Sequence, residues 1–342
     1  MWWRFLLLWV WGAACVGAAD VERALTLPPG DGPVEVRASF RLDEVTGIDD
    51  RDENFSFVGT LVLEWRDERQ AFDAVASGMK EKVYQGAYQV DEVAPSWYPQ
   101  AVLVNQSGEC GTAGVTMRVE PDGWCRLTTV LAATAATDFR MRRYPFDRHQ
   151  LEAVFGLPGF GADDVRVVTG DGEVRPGLRV SQWVFEGMGL EVRRTESVVR
   201  GAADELVVVV RVARDSVFAL RLVVLPLVLI VMLSWSVFWM ERSSLGDRLS
   251  VSFVGILTAV AYQNVVSDLL PHVSEVTLTH AFLNVCTVLM SATVVINLWV
   301  GVCEKRGDSA LGERIDRRSR RVFPMAFLGL LCMITAMAFL VY

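Results

Sequence analysis

The sequence GDRLSVSFVGILTAVAYQNVVSDLLP, residues 246–271, is a membrane-length segment whose polar and small residues recur at helical spacing. In a helix of 3.6 residues per turn, steps of three and four residues return to the same face. Steps from Ser250 reach the following residues: Val254, Leu257, Ala261, Asn264 and Asp268. This face is polar at both ends and apolar in the middle, which favours an ion pore. A buried helix in a bundle has the same spacing, so the segment alone leaves both interpretations open.

Two charged residues, Asp247 and Arg248, directly precede the apolar part of this segment. At a membrane edge charge is tolerated, and an acid or a base there acts on passing ions. The position of this pair is therefore consistent with the mouth of a pore.

The composition indicates a membrane protein with a large soluble part. Of the 342 residues, 52% are hydrophobic and 22% are charged, which implies that the two kinds are segregated along the chain. Four later stretches contain no Asp, Glu, Lys or Arg and are long enough to cross a bilayer: 222–240, 249–267, 276–302 and 322–342. Four such runs argue against buried helices of a soluble protein. We predict a transmembrane domain over 216–342 with four helices, at about 217–240, 248–270, 276–302 and 322–342.

The N-terminal segment and the linker 304–321 indicate on which side of the membrane the soluble part lies. Arg4, the apolar run 5–11 and the small residues 17–19 predict a secretory signal peptide over 1–19. The linker 304–321 carries seven Lys and Arg against four Asp and Glu, an excess typical of the cytoplasmic side. We therefore predict a multi-pass membrane protein whose domain 20–215 is exported to the periplasm or extracellular space.

The exported domain is acidic and has the pattern of a β-sandwich. It contains 22 Lys and Arg against 33 Asp and Glu, a charge that serves solubility, attracts cations or titrates with acid. Short alternating segments are separated by turn signals such as 121–123, which reads Pro-Asp-Gly. The clearest segments are 55–65, 115–119, 125–131, 151–155 and 206–212. The spacing predicts an antiparallel β-sandwich followed by a four-helix transmembrane bundle, a multi-domain α and β membrane protein.

The cysteines and the absence of catalytic motifs restrict the chemistry. Cys110 and Cys125 both lie in the exported domain and flank the hairpin turn, so they are disulfide candidates, with two free thiols as the alternative. No His-Glu-x-x-His, Gly-x-Ser-x-Gly or Gly-rich phosphate loop occurs, and no group has metal-ligand spacing. We predict no catalytic residue, no metal, no cofactor and no nucleic-acid partner.

Residues 144–147, Tyr-Pro-Phe-Asp, follow a strand in a domain that precedes four spans. This turn resembles the signature loop of pentameric ligand-gated ion channels, the Cys-loop receptor superfamily. Further motifs resemble the same family, over about 35–342: 65–67 Trp-x-Asp, 97–99 Trp-x-Pro, 225–226 Leu-Pro, 234–235 Ser-Trp and Pro271. Thr137 and Leu151 stand where animal members have the bridged cysteines, as in prokaryotic members, so the resemblance implies a bacterial inner-membrane protein. Ser274 replaces a second proline after Pro271.

The resemblance implies a coupling region between ligand binding and gating. Pro145 fixes the turn, Phe146 offers an apolar contact to the membrane domain, and Asp147 has a cationic candidate in Arg214. Pro271 would contribute the turn after the second span. Which of the acids Asp49, Asp50 and Asp52 joins this network stays open.

The resemblance also gives the pore segment a direction. Gly-Asp-Arg at 246–248 is similar to the Gly-acid-base step of cation-selective members, which implies a ring of five Asp247 carboxylates at the inner mouth. Ser250 would add a hydroxyl ring and Asp268 an outer acidic ring. The apolar positions Val254, Leu257 and Ala261 would form a gate that closes by dewetting, with Asn264 also lining the pore.

The agonist is the least determined part of the prediction. The resemblance implies a site between subunits, with Trp97, Phe160 and Arg193 as candidates, although Trp97 is also typical of a core residue. Residues 191–210 contain no aromatic residue, which disfavours an aromatic cage for an amine. Amine, carboxylate and proton all stay open.

The function predicted on these grounds is a cation-selective, homopentameric ligand-gated channel in the lipid bilayer, conducting monovalent cations. A non-conducting membrane sensor is the alternative, but its cytoplasmic side offers only short segments for a signalling output.

Overall fold

The computed structural model of the chain describes residues 27–93, 97–197, 201–240, 244–269 and 277–340. The predicted signal peptide and Pro271 lie outside these residues, as does the side chain of Asp268. Within them the chain divides into two compact units, a strand-rich one and a helical one.

Ten strands form the two sheets of the first unit. They are β1 Val34–Asp49, β2 Asn54–Arg66, β3 Lys82–Gln85, β4 Val102–Leu103, β5 Gln106–Val119, β6 Trp124–Ala136, β7 Arg148–Gly156, β8 Val165–Val174, β9 Trp183–Ser197 and β10 Gly201–Arg214. One sheet has the order β3-β5-β6-β2-β1-β8 and the other β4-β7-β10-β9. The predicted two-sheet architecture is confirmed, and β1 and β8 depart from the antiparallel pattern by pairing in parallel.

Alternating apolar residues build the core between the sheets. Along β2 every second residue is buried, because successive side chains of a strand point to opposite faces. Phe40 of β1 has its ring centroid 6.1 Å from that of Phe57 in its own sheet and 5.7 Å from that of Phe155 in the other sheet. These aromatic contacts hold the two sheets face to face.

The hairpin between β5 and β6 turns at the predicted Pro-Asp-Gly. Gly123 has φ +86°, a backbone conformation that a side chain disfavours. A Cβ at this position would also lie 2.7 Å from the carbonyl oxygen of Asp67. The turn therefore requires glycine twice over, for its own φ and for its close approach to the end of β2.

The predicted disulfide is wrong, because Cys110 and Cys125 are both free thiols. In the β5–β6 ladder Cys110 lies opposite Ala133, whereas Cys125 lies opposite Val119. At about 3.4 Å per residue these positions are about 30 Å apart, and a disulfide needs Cα atoms within about 7 Å. Flanking a turn in sequence does not bring the two cysteines together, since they occupy opposite ends of the hairpin.

The second unit contains four long helical segments, numbered α1 to α4. They are α1 Ser216–Trp239, α2 Leu245–Leu269, α3 Leu278–Lys305 and α4 Ser309–Leu340. Among the described residues, three helices are long and apolar enough to cross a membrane: α1, Leu245–Ser267 of α2, and α3. The described part of the fourth predicted span, 322–340, is the C-terminal part of α4.

Most of the predicted linker 304–321 is helical. Only 306–308 separates α3 from α4, and Gly307 has φ +86° in this tight turn. Hydropathy identifies only the apolar part of α4, whereas the charged residues before Val322 extend the same helix to Ser309. The polar first turns of α4 therefore lie against the start of α2, where Arg248 contacts Asp316.

The helical unit also includes two short pieces of the strand-rich half of the chain, 139–149 and 182–184. Buried residues from all four helices form its core, and Tyr144 packs against them. The turn 144–147 is therefore part of the helical unit, although it precedes the first helix by about 70 residues.

Candidate functional site

The turn at 144–147 is held by hydrogen bonds from the starts of two helices. Ser216 Oγ of α1 donates to the Pro145 carbonyl at 2.8 Å, and Thr279 Oγ1 of α3 donates to the Tyr144 carbonyl at 3.2 Å. Pro145 is buried, whereas Phe146 is 36% exposed. Tyr144 packs against the helical core, a contact that the sequence analysis did not predict.

Asp147 and Arg214 are in direct contact. Arg214 Nε donates to both carboxylate oxygens of Asp147, at 3.0 and 3.1 Å, and the backbone N–H of Arg214 donates to the Asp147 carbonyl at 3.1 Å. The guanidinium lies over two aromatic rings, 4.2 Å from the centroid of Trp183 and 4.7 Å from that of Tyr144. Both ionic side chains are almost fully buried, so the pair fixes the end of β10 to the turn.

Sequence reasoning missed the third member of this cluster, His149. Its Nε2 lies 2.6 Å from Asp147 Oδ2, and only 5% of the residue is exposed. Burial alone would raise the pKa of the Asp147 carboxyl, but the hydrogen bond from His149 and the charge of Arg214 outweigh burial and lower it. Stability from a lowered carboxyl pKa is present above the unfolded value and is lost only as pH falls through the folded value. The pair is therefore ionised at neutral and mildly acidic pH.

Helix α2 presents the predicted stripe on its exposed side. Asp247, Ser250, Ala261 and Asn264 are exposed, and Val254 and Leu257 are 63% and 70% exposed. The opposite face is buried against the other helices, with residues at 0–5% exposure: Arg248, Ser252, Ala259 and Val266. A residue that lines a pore between subunits must be exposed on its own chain, and these residues meet that condition. Pore lining itself stays a prediction.

Asp247 also has a structural role that the sequence analysis did not assign. Ser244 Oγ and the backbone N–H of Ser244 donate to Asp247 Oδ2, at 2.7 and 3.3 Å, and the Asp247 N–H donates to Ser244 Oγ at 3.2 Å. This reciprocal arrangement is a capping box at the first turn of α2. The spacing Ser-x-x-Asp in the sequence is the signal that could have revealed it.

Pro226 marks an irregular part of α1 that α2 compensates. The segment Leu220–Val224 is a π-helical turn, and Pro226 has no N–H to donate to the carbonyl four residues earlier. The hydroxyl of Tyr262 on α2 donates to that carbonyl, of Leu222, and to the carbonyl of Val223 at 3.3 Å. A side chain of the candidate pore helix therefore satisfies the Leu222 carbonyl that the proline leaves without a helical donor.

Family models match both halves of the chain. The neurotransmitter-gated ion-channel ligand binding domain matches residues 24–201, and the neurotransmitter-gated ion-channel transmembrane region matches residues 223–333. This chain belongs to the pentameric ligand-gated ion channel superfamily. The membership predicted from the motifs is confirmed, and the superfamily consists of ligand-gated channels and not of enzymes.

Curated relatives of this superfamily member differ in what their names say they conduct or bind. The chain is 25% identical to a proton-gated ion channel of Gloeobacter violaceus, over 94% of this chain and 87% of that protein. It is 23% identical to a gamma-aminobutyric acid receptor subunit theta of Mus musculus and 22% identical to pH-sensitive chloride channel 2 of Anopheles gambiae. These alignments cover 86% and 84% of this chain but only 46% and 49% of those relatives.

The three ligand candidates of the channel's extracellular domain have different surroundings. Trp97 is 6% exposed, and its ring makes edge contacts with Trp65 and Phe160, at 6.1 and 5.7 Å between centroids. Trp97 thus packs in the core, and Phe160 is the more accessible end of this aromatic row. Arg193 is exposed and donates to both carboxylate oxygens of Glu152 at 3.0 Å.

A charged groove on the strand-rich unit was not predicted from the sequence. It has a volume of about 520 Å³ on the six-stranded sheet, within the range of small-molecule sites. Its charged lining consists of three arginines and three glutamates: Arg37, Arg118, Arg126, Glu64, Glu81 and Glu120. Arg118 pairs with Glu81 at 2.9 Å and Arg126 with Glu64 at 2.7 Å. In the strand register Glu64 lies opposite both Arg37 and Arg126, and Arg126 lies opposite Arg118, a row that becomes visible only when the strand register is known.

Proposed function

We propose that the chain forms a homopentameric, cation-selective ligand-gated channel in a bacterial inner membrane, with the β-sandwich on the periplasmic or extracellular side. The observation that carries the selectivity proposal is the contrast between Asp247 and Arg248. Asp247 is exposed at the start of α2, whereas Arg248 is buried and paired with Asp316. The charge presented by this turn is therefore negative, and a ring of such charges lowers the energy of cations.

Gating in this proposal involves a coupling region and an apolar constriction of the pore. In this proposal the Pro145–Asp147 turn and Arg214 transmit agonist binding to α1 and α3. Pro271 and an acid among Asp49, Asp50 and Asp52 are further candidates for the same role. Val254, Leu257 and Ala261 form the gate, and Ser250, Asn264 and Asp268 line the rest of the pore.

Replacing Asp247 by asparagine should abolish most of the cation preference. A unit charge about 4 Å from an ion is worth about 1 kcal/mol in bulk water and more at a partly desolvated site. The cation-to-anion permeability ratio should therefore fall about tenfold or more. Reversal potentials of purified channels in a bilayer under a salt gradient measure this ratio. Asparagine is preferable to alanine because its side-chain oxygen can still accept from Ser244.

Ser244→Ala is the matched control, because it breaks the capping box and leaves the carboxylate. We expect it to lower stability by about 1 kcal/mol with the reversal potential unchanged. A wild-type channel without cation preference would contradict the proposal. Absence of any current under all agonists would favour the non-conducting sensor.

For the agonist we propose a small zwitterion bound in the charged groove. The arginines and glutamates that line the groove together offer partners to both an amine and a carboxylate, and residues 191–210 contain no aromatic residue for an amine cage. The identity of several relatives as gamma-aminobutyric acid receptor subunits is consistent with such a ligand.

A screen at constant pH should therefore find activation by amino acids with both charges and not by simple amines or carboxylates. Arg126→Gln should raise the half-maximal agonist concentration about tenfold, the effect of losing one charged hydrogen bond. Arg166→Gln on the exposed surface of β8 is the control. Activation by a pH step alone, with no response to any zwitterion, would contradict this proposal and indicate that protons are the agonist.

A further inference from the structure

Arg248 lies on the buried side of α2, directly after the exposed Asp247. Only 5% of the residue is exposed. Its Nη2 donates to both carboxylate oxygens of Asp316 on α4, at 2.7 and 2.8 Å. The side chain of Asp316 is 17% exposed. The base next to the candidate selectivity residue is thus neutralised by an acid from another helix.

A chain of hydrogen bonds extends this ion pair to a third helix. Ser252 Oγ donates to the Arg248 carbonyl at 3.0 Å, and Asn297 Nδ2 of α3 donates to Ser252 Oγ at 2.9 Å. Ser252 and Asn297 are fully buried. Polar groups in an apolar interior are costly unless they are paired, so this row fixes the rotation of the first turns of α2 relative to α3 and α4.

Arg248 depends strongly on Asp316 for its buried position. Within the described residues, its buried Nε has no hydrogen-bond partner. An unpaired buried guanidinium is strongly unfavourable, and a long arginine side chain relieves the cost by moving its head to water. The adjacent Asp247 is exposed, so the face of α2 on which it lies offers the guanidinium both water and a carboxylate.

We propose that Asp316 is a selectivity-determining residue that acts through Arg248. By holding the guanidinium away from the exposed face, Asp316 leaves the Asp247 charge uncompensated. Without Asp316, Arg248 turns outward and its positive charge cancels that of Asp247. The inference rests on the proposed cation-selective channel, and it makes Asp316 a positioning residue that does not itself face the ions.

The first test is Asp316→Asn, with the reversal potential of the purified channel in a bilayer under a salt gradient as the readout. We expect the cation-to-anion permeability ratio to fall about tenfold, the effect of placing one opposing charge beside Asp247 in each subunit. Glu313→Gln is the matched control. It removes one acid from an exposed position one turn earlier on α4 and should leave the ratio unchanged.

The second test is the double variant Arg248→Gln/Asp316→Asn, which has no buried unpaired charge and keeps the proposal testable if Asp316→Asn does not assemble. We expect the double variant to have the wild-type permeability ratio. A reduced ratio in the double variant would show that Asp316 acts on ions directly, and would overturn the proposal.

Failure of the inference and failure of the proposed function give different results. If the wild type prefers cations and Asp247→Asn removes the preference, but Asp316→Asn keeps the wild-type ratio, only the role of Asp316 is wrong. If the wild type shows no cation preference, the proposed function itself is wrong.

Discussion

Replacing Asp147 by asparagine should destabilise the channel by about 3–5 kcal/mol, the usual effect of removing one partner of a buried ion pair. Arg214 would keep its charge in a site where its side chain is 8% exposed, and His149 would lose its carboxylate partner. Thermal unfolding of the purified protein in detergent measures the loss, and agonist-evoked current should fall with it, because the turn at 144–147 connects to α1 and α3.

Two variants distinguish the loss of the buried Asp147–Arg214 ion pair from a general effect of removing one negative charge. Asp163→Asn removes an exposed acid of the strand-rich unit and should change stability by less than about 0.5 kcal/mol. Asp147→Asn/Arg214→Gln leaves no buried charge unpaired and should recover part of the stability. Equal stability of Asp147→Asn and the wild type would mean that the pair does not hold the turn.

Replacing Leu257 by serine should open the channel more readily. In the proposed pentamer five Leu257 side chains, each 70% exposed on its own chain, form the apolar constriction. Exposing one leucine side chain to water costs about 1.5–3 kcal/mol, so serine at this level should favour the wet, open pore by about tenfold or more. Dose–response curves and the resting current in the absence of agonist measure the shift.

Val260→Ser is the matched control for this gate. Val260 is 41% exposed but lies about 60° around the helix from Leu257, at the edge of the exposed face. Its replacement should change the half-maximal agonist concentration less than that of Leu257. Equal shifts from the two variants would remove Leu257 from the gate.

The sheets and helices could be predicted because their burial follows regular periods. Alternation located β2 to within a residue at each end, and hydropathy located α1 and α3 to within a few residues. The start of α4 was misplaced because a charged helix and a charged linker have the same hydropathy. The Cys110–Cys125 bridge was wrong because distance in a ladder depends on register, which sequence proximity does not contain.

The candidate site was predictable only where a family motif carried it. The pairing of Asp147 with Arg214 followed from a resemblance, but His149 has no periodic pattern that would assign it to the same cluster. The burial of Arg248 could not be predicted from the sequence either. An arginine at a membrane edge can be exposed to water or packed between helices, and the sequence does not distinguish the two. The counter-ion of Arg248, Asp316, lies 68 residues away on another helix, and only the packing of α4 against α2 brings the two together.

The bond from Tyr262 to the carbonyls of Leu222 and Val223 has a mechanical consequence. Its donor belongs to α2 and its acceptors to α1, and a bare carbonyl in hydrocarbon costs several kcal/mol. At this level the two helices should therefore move as one rigid body, with α2 unable to rotate alone. Relative motion of the two helices is then confined to the opposite end, toward Ser250 and Asp247, so that Pro226 of α1 limits where the candidate pore helix can bend.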